Sequence, residues 1–511
     1  MKNLKNIRLV FFTAVLLCSM KLSGQLSIVQ TENGSVSGYK SGEISIFKGI
    51  PFAAPPVGDL RWKAPQPAKN WTGILKCDKF SASPMQGKPV PFMMWTEEFI
   101  TPPESLSEDC LYLNIWTPAK SAREKLPVFV WIYGGGFSSG SAACAVYDGE
   151  DMSKKGVVFV SINYRVGVFG FLAHPGLSAE SDNKVSGNYG LLDQVAALKW
   201  IRKNIEAFGG DPQKVTIAGQ SAGSMSVCAL VVSPLAKGLF RGAIAQSGGI
   251  LSSFMNNSLA DAEKSGVSFM EKLKASNIEE LRKKTAEELI TAGGSFRPVY
   301  DGYVIPVDVF GAFKNGLFND VPMMAGWVTG DGSLMGTQTM PPEKYKQQAV
   351  EKYGEKADEY LKIFPGATSD QVTSSLKESG LMQFAALPAH LWAGFSKSKA
   401  FIYQFSHIPV DKPGFPNYGA FHTSEVPFAL HTLHLWKRPW RDVDFAVEKT
   451  MNDYWVNFVK TGNPNGEGMP EWGVYDKSSG IIMEIGDKPQ SQPGLHKGEF
   501  DFLEGIFKNA K

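Results

Sequence analysis

VTIAGQSAGSMSVCALVVS, Val215 to Ser233, is the stretch on which the reading of this chain turns. Val215–Ala218 has the pattern of a short buried strand, and Ser224–Val232 that of an apolar helix. Ser221 stands between them, inside Gly219-Gln220-Ser221-Ala222-Gly223. That matches G-x-S-x-G, a pattern short enough to arise by chance in a chain with 52 glycines. A second match, GFSSG, runs from Gly136 to Gly140. Context separates the two. A serine on a sharp strand-to-helix turn has its hydroxyl lifted clear of the backbone, and the helix N-terminus behind it favours developing negative charge. GFSSG also follows a strand, but small residues without helical period come after it, so it reads as a loop.

Outward from Ser221 the same alternation continues. LPVFVWIY (Leu126–Tyr133) and VVFVSINY (Val157–Tyr164) are nearly continuous apolar runs, as strands covered on both faces require. Tyr189–Phe208 carries apolar residues at helical spacing, and GAIAQS is another strand. Strand and helix in turn imply an α/β protein with a mostly parallel central sheet flanked by helices. Residues 29–60 read as antiparallel strands and loops, with a turn at Asn33-Gly34. The stretch 251–400 is rich in interspersed Lys and Glu and reads as amphipathic helices inserted over the sheet and its gorge. Gly134-Gly135-Gly136 directly follows a strand. Bare N–H groups of Gly135 and Gly136, with that of Ala222, are candidates for an oxyanion hole.

The N-terminus has a different character. Lys2, Lys5 and Arg8 precede the apolar run Leu9–Leu17, which is short for a membrane span, and small and polar residues follow. Residues 1–24 therefore read as a signal peptide, residues 25–511 as one catalytic domain, and the destination as secreted or periplasmic. Four of the chain's 52 basic residues lie in that leader, leaving 48 against 50 acidic ones. Such a balance excludes the basic footprint of a nucleic-acid binder. No later stretch suits a membrane span. No C-x-x-C or His-rich spacing suggests a metal, and no organic cofactor is expected. Cys77, Cys110, Cys144 and Cys228 remain after the leader, with three possible full pairings.

Longer motifs add a resemblance. FKGIPFAAPPVGDLRWKAPQP (Phe47–Pro67), SEDCLYLNIW (Ser107–Trp116), the segment Ser186–Gly223, FRGAIAQSGG and TGNPN occur in the order found in the type-B carboxylesterase/cholinesterase family. The chain resembles that family over nearly its whole length, which implies the α/β-hydrolase fold. The resemblance also implies a catalytic triad of Ser221, Asp331 and His422. His422 stands in GAFHTSEVPFAL, similar to the family's G-x-x-H-x-x-E loop, whereas His431 and His434 match no family position. In AGWVTGDGSLM, Gly330 and Asp331 occupy the places of the family's Asp and Glu. Asp is one methylene shorter than Glu, so its loop must approach His422 more closely.

Other positions follow from the same likeness. Gln220 replaces the Glu of cholinesterases, which argues against choline esters. Ser247 is expected to support the triad from behind. Cys77 and Cys110 fit the family's N-terminal disulfide, and Trp95 is a candidate for the substrate path. The activity implied is carboxylic-ester hydrolysis of a small-molecule substrate through an acyl-enzyme on Ser221. The alternatives are an esterase specialised for feruloyl or acetyl groups of polysaccharide, a lipase-like enzyme, or a binding protein without catalysis.

Overall fold

The structure, a computed structural model, describes residues 26–509 apart from 103–104, 253–254, 256 and 335–338. The leader read at residues 1–24 lies outside the described residues. The central sheet has eleven strands: β1 (Tyr39–Ser41), β2 (Ile44–Pro51), β3 (Tyr112–Thr117), β4 (Leu126–Ile132), β5 (Val158–Ile162), β6 (Gly210–Gln220), β7 (Gly242–Gln246), β8 (Met323–Val328), β9 (Ala400–Phe405), β10 (Ile482–Ile485) and β11 (Gln490–Gln492). Their spatial order is β11-β10-β9-β8-β7-β6-β4-β5-β3-β2-β1. From β5 across to β10 every neighbouring pair is parallel, and the two flanks are antiparallel. The apolar runs quoted above are the reason: every residue of β5, β7, β8 and β9 is buried, with the sheet covered on both faces.

Topology decides where a site can form. The chain steps from β4 to β5 on one side, then returns to lay β6 on the other side of β4. Loops leaving the carboxyl ends of β4 and β6 therefore diverge and open a crevice between them, which is where open α/β sheets bind ligands.

Helices close both faces. α1 (Tyr189–Asn204) takes up the predicted helical period, but its last turn tightens to a 3₁₀ turn over Ile205–Phe208 and ends at Gly209, whose φ is 80°. α2 (Ala222–Val232) is apolar all round and buried at every residue. At the end of β5, Arg165 donates to both carboxylate oxygens of Asp193 on α1 at 2.8 and 2.7 Å, a buried pair joining helix to sheet. Ile28–Thr31 and Gly34–Ser37 form an antiparallel hairpin, with Glu32 and Asn33 as its turn and Gly34 already paired with Thr31. The lysine- and glutamate-rich segment supplies outer helices, among them α3 (Ser369–Leu381), and α4 (Lys497–Asn509) packs near it at the C-terminus. No helix among the described residues is long and apolar enough to cross a membrane.

The expected Cys77–Cys110 disulfide is absent, and both residues are buried free thiols. Each is held by its own backbone contacts: Lys48 N–H donates to Cys77 O, while Phe52 N–H donates to the carbonyl of Leu111, the residue after Cys110. The loop between them is closed instead by a short parallel ladder of Ser83–Pro84 with Leu106–Ser107.

Candidate active site

Four loops leave the carboxyl ends of parallel strands and meet at the crevice. β6 delivers Ser221, β4 delivers Gly134–Gly136, β8 delivers Asp331, and the longer loop after β9 carries His422. Ser221 has φ 58° and ψ −123°, a conformation that costs about 1–3 kcal/mol and persists only where neighbours enforce it. Its N–H donates to Gln246 O at 2.8 Å, and Met225 N–H donates to Ser221 O at 2.9 Å. A Cβ on Gly223 would lie 2.0 Å from Ile132 O, so glycine alone lets α2 seat against the end of β4. The hydroxyl is left at the head of α2, facing the crevice.

His422 and Asp331 meet in the same place. Nδ1 of His422 lies 2.5 Å from Asp331 Oδ1, with side chains 2% and 0% exposed. A proton shared on that side leaves the Nε2 lone pair free to act as a base. Asp331 Oδ2 accepts from Val328 N–H at 3.1 Å, which fixes the carboxylate's second oxygen. The missing methylene is made up by backbone approach. Gly330 N–H donates to Ala420 O at 2.9 Å, and a Cβ at 330 would stand 2.3 Å from that oxygen. Gly330 and Asp331 are therefore one adaptation: the bare glycine lets the acid loop press against the histidine loop.

Gln220 lies between the base and the nucleophile's strand. Its Nε2 is 3.1 Å from His422 Nε2. Among the described hydrogen bonds it is this amide, and not Ser221 Oγ, that meets Nε2. On the other side of Ser221, the N–H groups of Gly135, Gly136 and Ala222 donate to no protein acceptor among the described residues. The glycine loop is nonetheless held. Ser138 and Ser139 N–H both donate to Gly135 O at 3.1 Å, and Gln86 clasps Gly140 through two 2.9 Å bonds.

The cleft above these groups has a volume of about 570 Å³ and mainly apolar walls, including Phe92, Trp95, Phe99, Tyr147, Met225 and Phe384. Trp95 Nε1 donates to Thr423 Oγ1 at 2.9 Å and presents its ring edge-on to His422 at 6.4 Å. Phe384 does the same from 5.8 Å. Val90, Phe92 and Met93 form an exposed apolar rim. His431 and His434 lie outside the cleft, 3.3 Å from Glu448 and 3.4 Å from Asp151.

A hydroxyl on an enforced turn, an imidazole oriented by a buried carboxylate, and vacant backbone donors form a constellation suited to acyl transfer. The sequence profile of the carboxylesterase family matches residues 25–503. The chain belongs to the carboxylesterase family. It is 35% identical to fumonisin B1 esterase of Sphingopyxis macrogoltabida over 91% of this chain and 87% of that one. It is 33% identical to para-nitrobenzyl esterase of Bacillus subtilis (strain 168), covering 88% and 93%. A solved PNB esterase superposes with a TM-score of 0.81 at 30% identity, covering 93% of this chain and 99% of that one. The protein is accordingly a carboxylic ester hydrolase of α/β-hydrolase fold.

Behind the Ser221, Asp331 and His422 side chains of this carboxylesterase lies a buried polar group that motif reading left without a role. Glu425 has no exposed surface, and burial together with the charge of Asp331 pushes its carboxyl up to about 8. Gln246 Nε2 stands 3.5 Å from Glu425 Oε1. Ser247, fully buried with φ 57°, adjoins the carboxyl and donates its N–H to Gly326 O at 2.8 Å. Glu425 is the last residue of the G-x-x-H-x-x-E pattern, so a signal for it existed. Gln86 carries none, because its partner Gly140 is remote in sequence.

Proposed function

We propose that this carboxylesterase works through an acyl-enzyme on Ser221 and is exported. The observation that carries the reading is the enforced Ser221 turn at the head of α2, beside an imidazole whose Nδ1 is engaged by Asp331 at 2.5 Å. Ser221 Oγ attacks the ester carbonyl while His422 Nε2 takes its proton. Asp331 keeps the imidazole in the tautomer that leaves Nε2 basic and stabilises the imidazolium that forms. The Gln220 amide, which occupies Nε2 in the resting enzyme, swings aside as the hydroxyl approaches. The N–H groups of Gly135, Gly136 and Ala222 receive the oxyanion. His422 then protonates the leaving alcohol and activates water to release the acid. Substrates are small neutral esters with apolar acyl or alcohol groups, which fits the aromatic cleft and its apolar rim. Ser247 and Gln220 support rather than perform the chemistry, and no metal or organic cofactor enters any step. Export rests on the leader pattern at residues 1–24.

Purified mature protein and its Ser221→Ala variant, compared on aryl acetate and butyrate, test the mechanism. The parent should turn both over, and the folded variant should lose at least about 10⁴-fold in kcat. A variant that keeps turnover close to the parent's would end the acyl-enzyme assignment to Ser221.

A further inference from the structure

Away from the cleft, three metal-binding side chains converge where the C-terminal helix meets the body. Glu378 projects from α3, His496 immediately precedes α4, and Glu499 lies in the first turn of α4. One ligand atom from each lies within 4.8 Å of the others. His496 Nδ1 is 3.5 Å from Glu378 Oε1 and 3.6 Å from Glu499 Oε1. Both separations exceed an ordinary charge-assisted hydrogen bond of about 2.7–2.9 Å. They match the edge of a tetrahedron: two ligands each about 2.1 Å from a Zn²⁺ ion stand roughly 3.4 Å apart.

The imidazole is prepared from its other side. His496 Nε2 lies 2.7 Å from Gln404 Oε1, an acceptor that also receives Trp327 Nε1–H at 3.0 Å. An amide oxygen so placed fixes the proton on Nε2 and turns the Nδ1 lone pair toward the two carboxylates. This is the orienting contact that metal-bound histidines make through the ring nitrogen that carries no metal. The three side chains are 14%, 41% and 26% exposed for His496, Glu378 and Glu499, which leaves a path for an ion and for water to complete its shell.

We propose that Glu378, His496 and Glu499 form a binding site for a divalent transition cation, of which Zn²⁺ suits the donor set best. One imidazole with two carboxylates is a borderline-hard set that Mg²⁺, which demands oxygen ligands, does not favour. The ion ties α4 to α3. The site is a brace and takes no part in ester chemistry.

The test uses chelator-treated mature protein titrated with ZnCl₂ by calorimetry, with Tm followed in parallel. The variants are Glu378→Gln, which keeps side-chain shape, and His496→Asn, chosen because residue 496 has φ 61° and asparagine tolerates that region. The parent should bind one Zn²⁺ at micromolar or tighter Kd with a rise in Tm, and MgCl₂ should give no such rise. Each variant should weaken binding at least about tenfold while aryl-ester turnover is unchanged. The proposal is overturned by absence of Zn²⁺ binding to the parent, by equal binding in either folded variant, or by an equal Tm rise with Mg²⁺.

Discussion

Glu425 and Asp331 are two carboxyls buried in one neighbourhood, and placing both charges there without solvent costs more than placing one. Asp331 has the His422 imidazole 2.5 Å away as a partner and Glu425 has no such partner among the described residues, so the proton settles on Glu425, whose carboxyl is pushed up to about 8. That proton has a consequence for stability. Between the ordinary value of 4.5 and about 8 the folded protein keeps a proton that the unfolded chain has released. Stability therefore falls as pH rises through that window, and this contribution levels off above it. In Glu425→Gln the ionisable group is gone, so its Tm relative to the parent should climb from about pH 5 to about pH 8 and then hold steady. Thermal melts of both proteins across that range check it. A constant difference at all pH values would mean that Glu425 is already ionised.

At the scale of elements, the acid loop shows how sequence departures become geometry. A reading of the chain identifies Asp331 as a shortened acid and requires its loop to come closer, but nothing in the local sequence measures that approach. The answer lies in two loops leaving neighbouring strands, β8 and β9, and in the contact between Gly330 and the Ala420 carbonyl. Restoring the longer side chain alone should therefore do harm. In Asp331→Glu the added methylene has no free volume, since the carboxylate is fully buried and its loop is pressed onto the histidine loop. The imidazole is displaced, and kcat should fall roughly a hundredfold with little change in KM. Steady-state kinetics on an aryl butyrate decide the matter: parent-like kcat would show that the loop has slack. The same contrast governs legibility more widely. Ser221 and His422 stand in long contiguous motifs and can be named from sequence, and strands such as β5 declare themselves by unbroken apolar runs. Gln86, Phe384 and the Glu378–His496–Glu499 cluster come together only through folding.

Across the whole molecule, the four cysteines beyond residue 24 are placed by four different parts of the structure. Cys77 follows the small N-terminal sheet, Cys110 precedes β3, Cys144 borders the cleft and Cys228 lies within α2. Spacing along the chain counted 32 residues between the first two, and it does not show that both remain free, buried thiols. Burial keeps all four unreactive: it pushes the thiols of Cys77, Cys144 and Cys228 up to about 12 and that of Cys110 well above its usual value. Thiolate, the reactive form, is thereby suppressed even in an oxidising compartment. Native mature protein should therefore be nearly inert to a thiol reagent. Unfolded in guanidinium without reductant, it should release four titratable thiols at once. Reductant should leave its Tm unchanged, whereas loss of a disulfide closing that loop would remove roughly 3–4 kcal/mol. Two thiols instead of four, together with a Tm lowered by reductant, would show that Cys77 and Cys110 pair after all and that the first strands of the sheet are arranged differently.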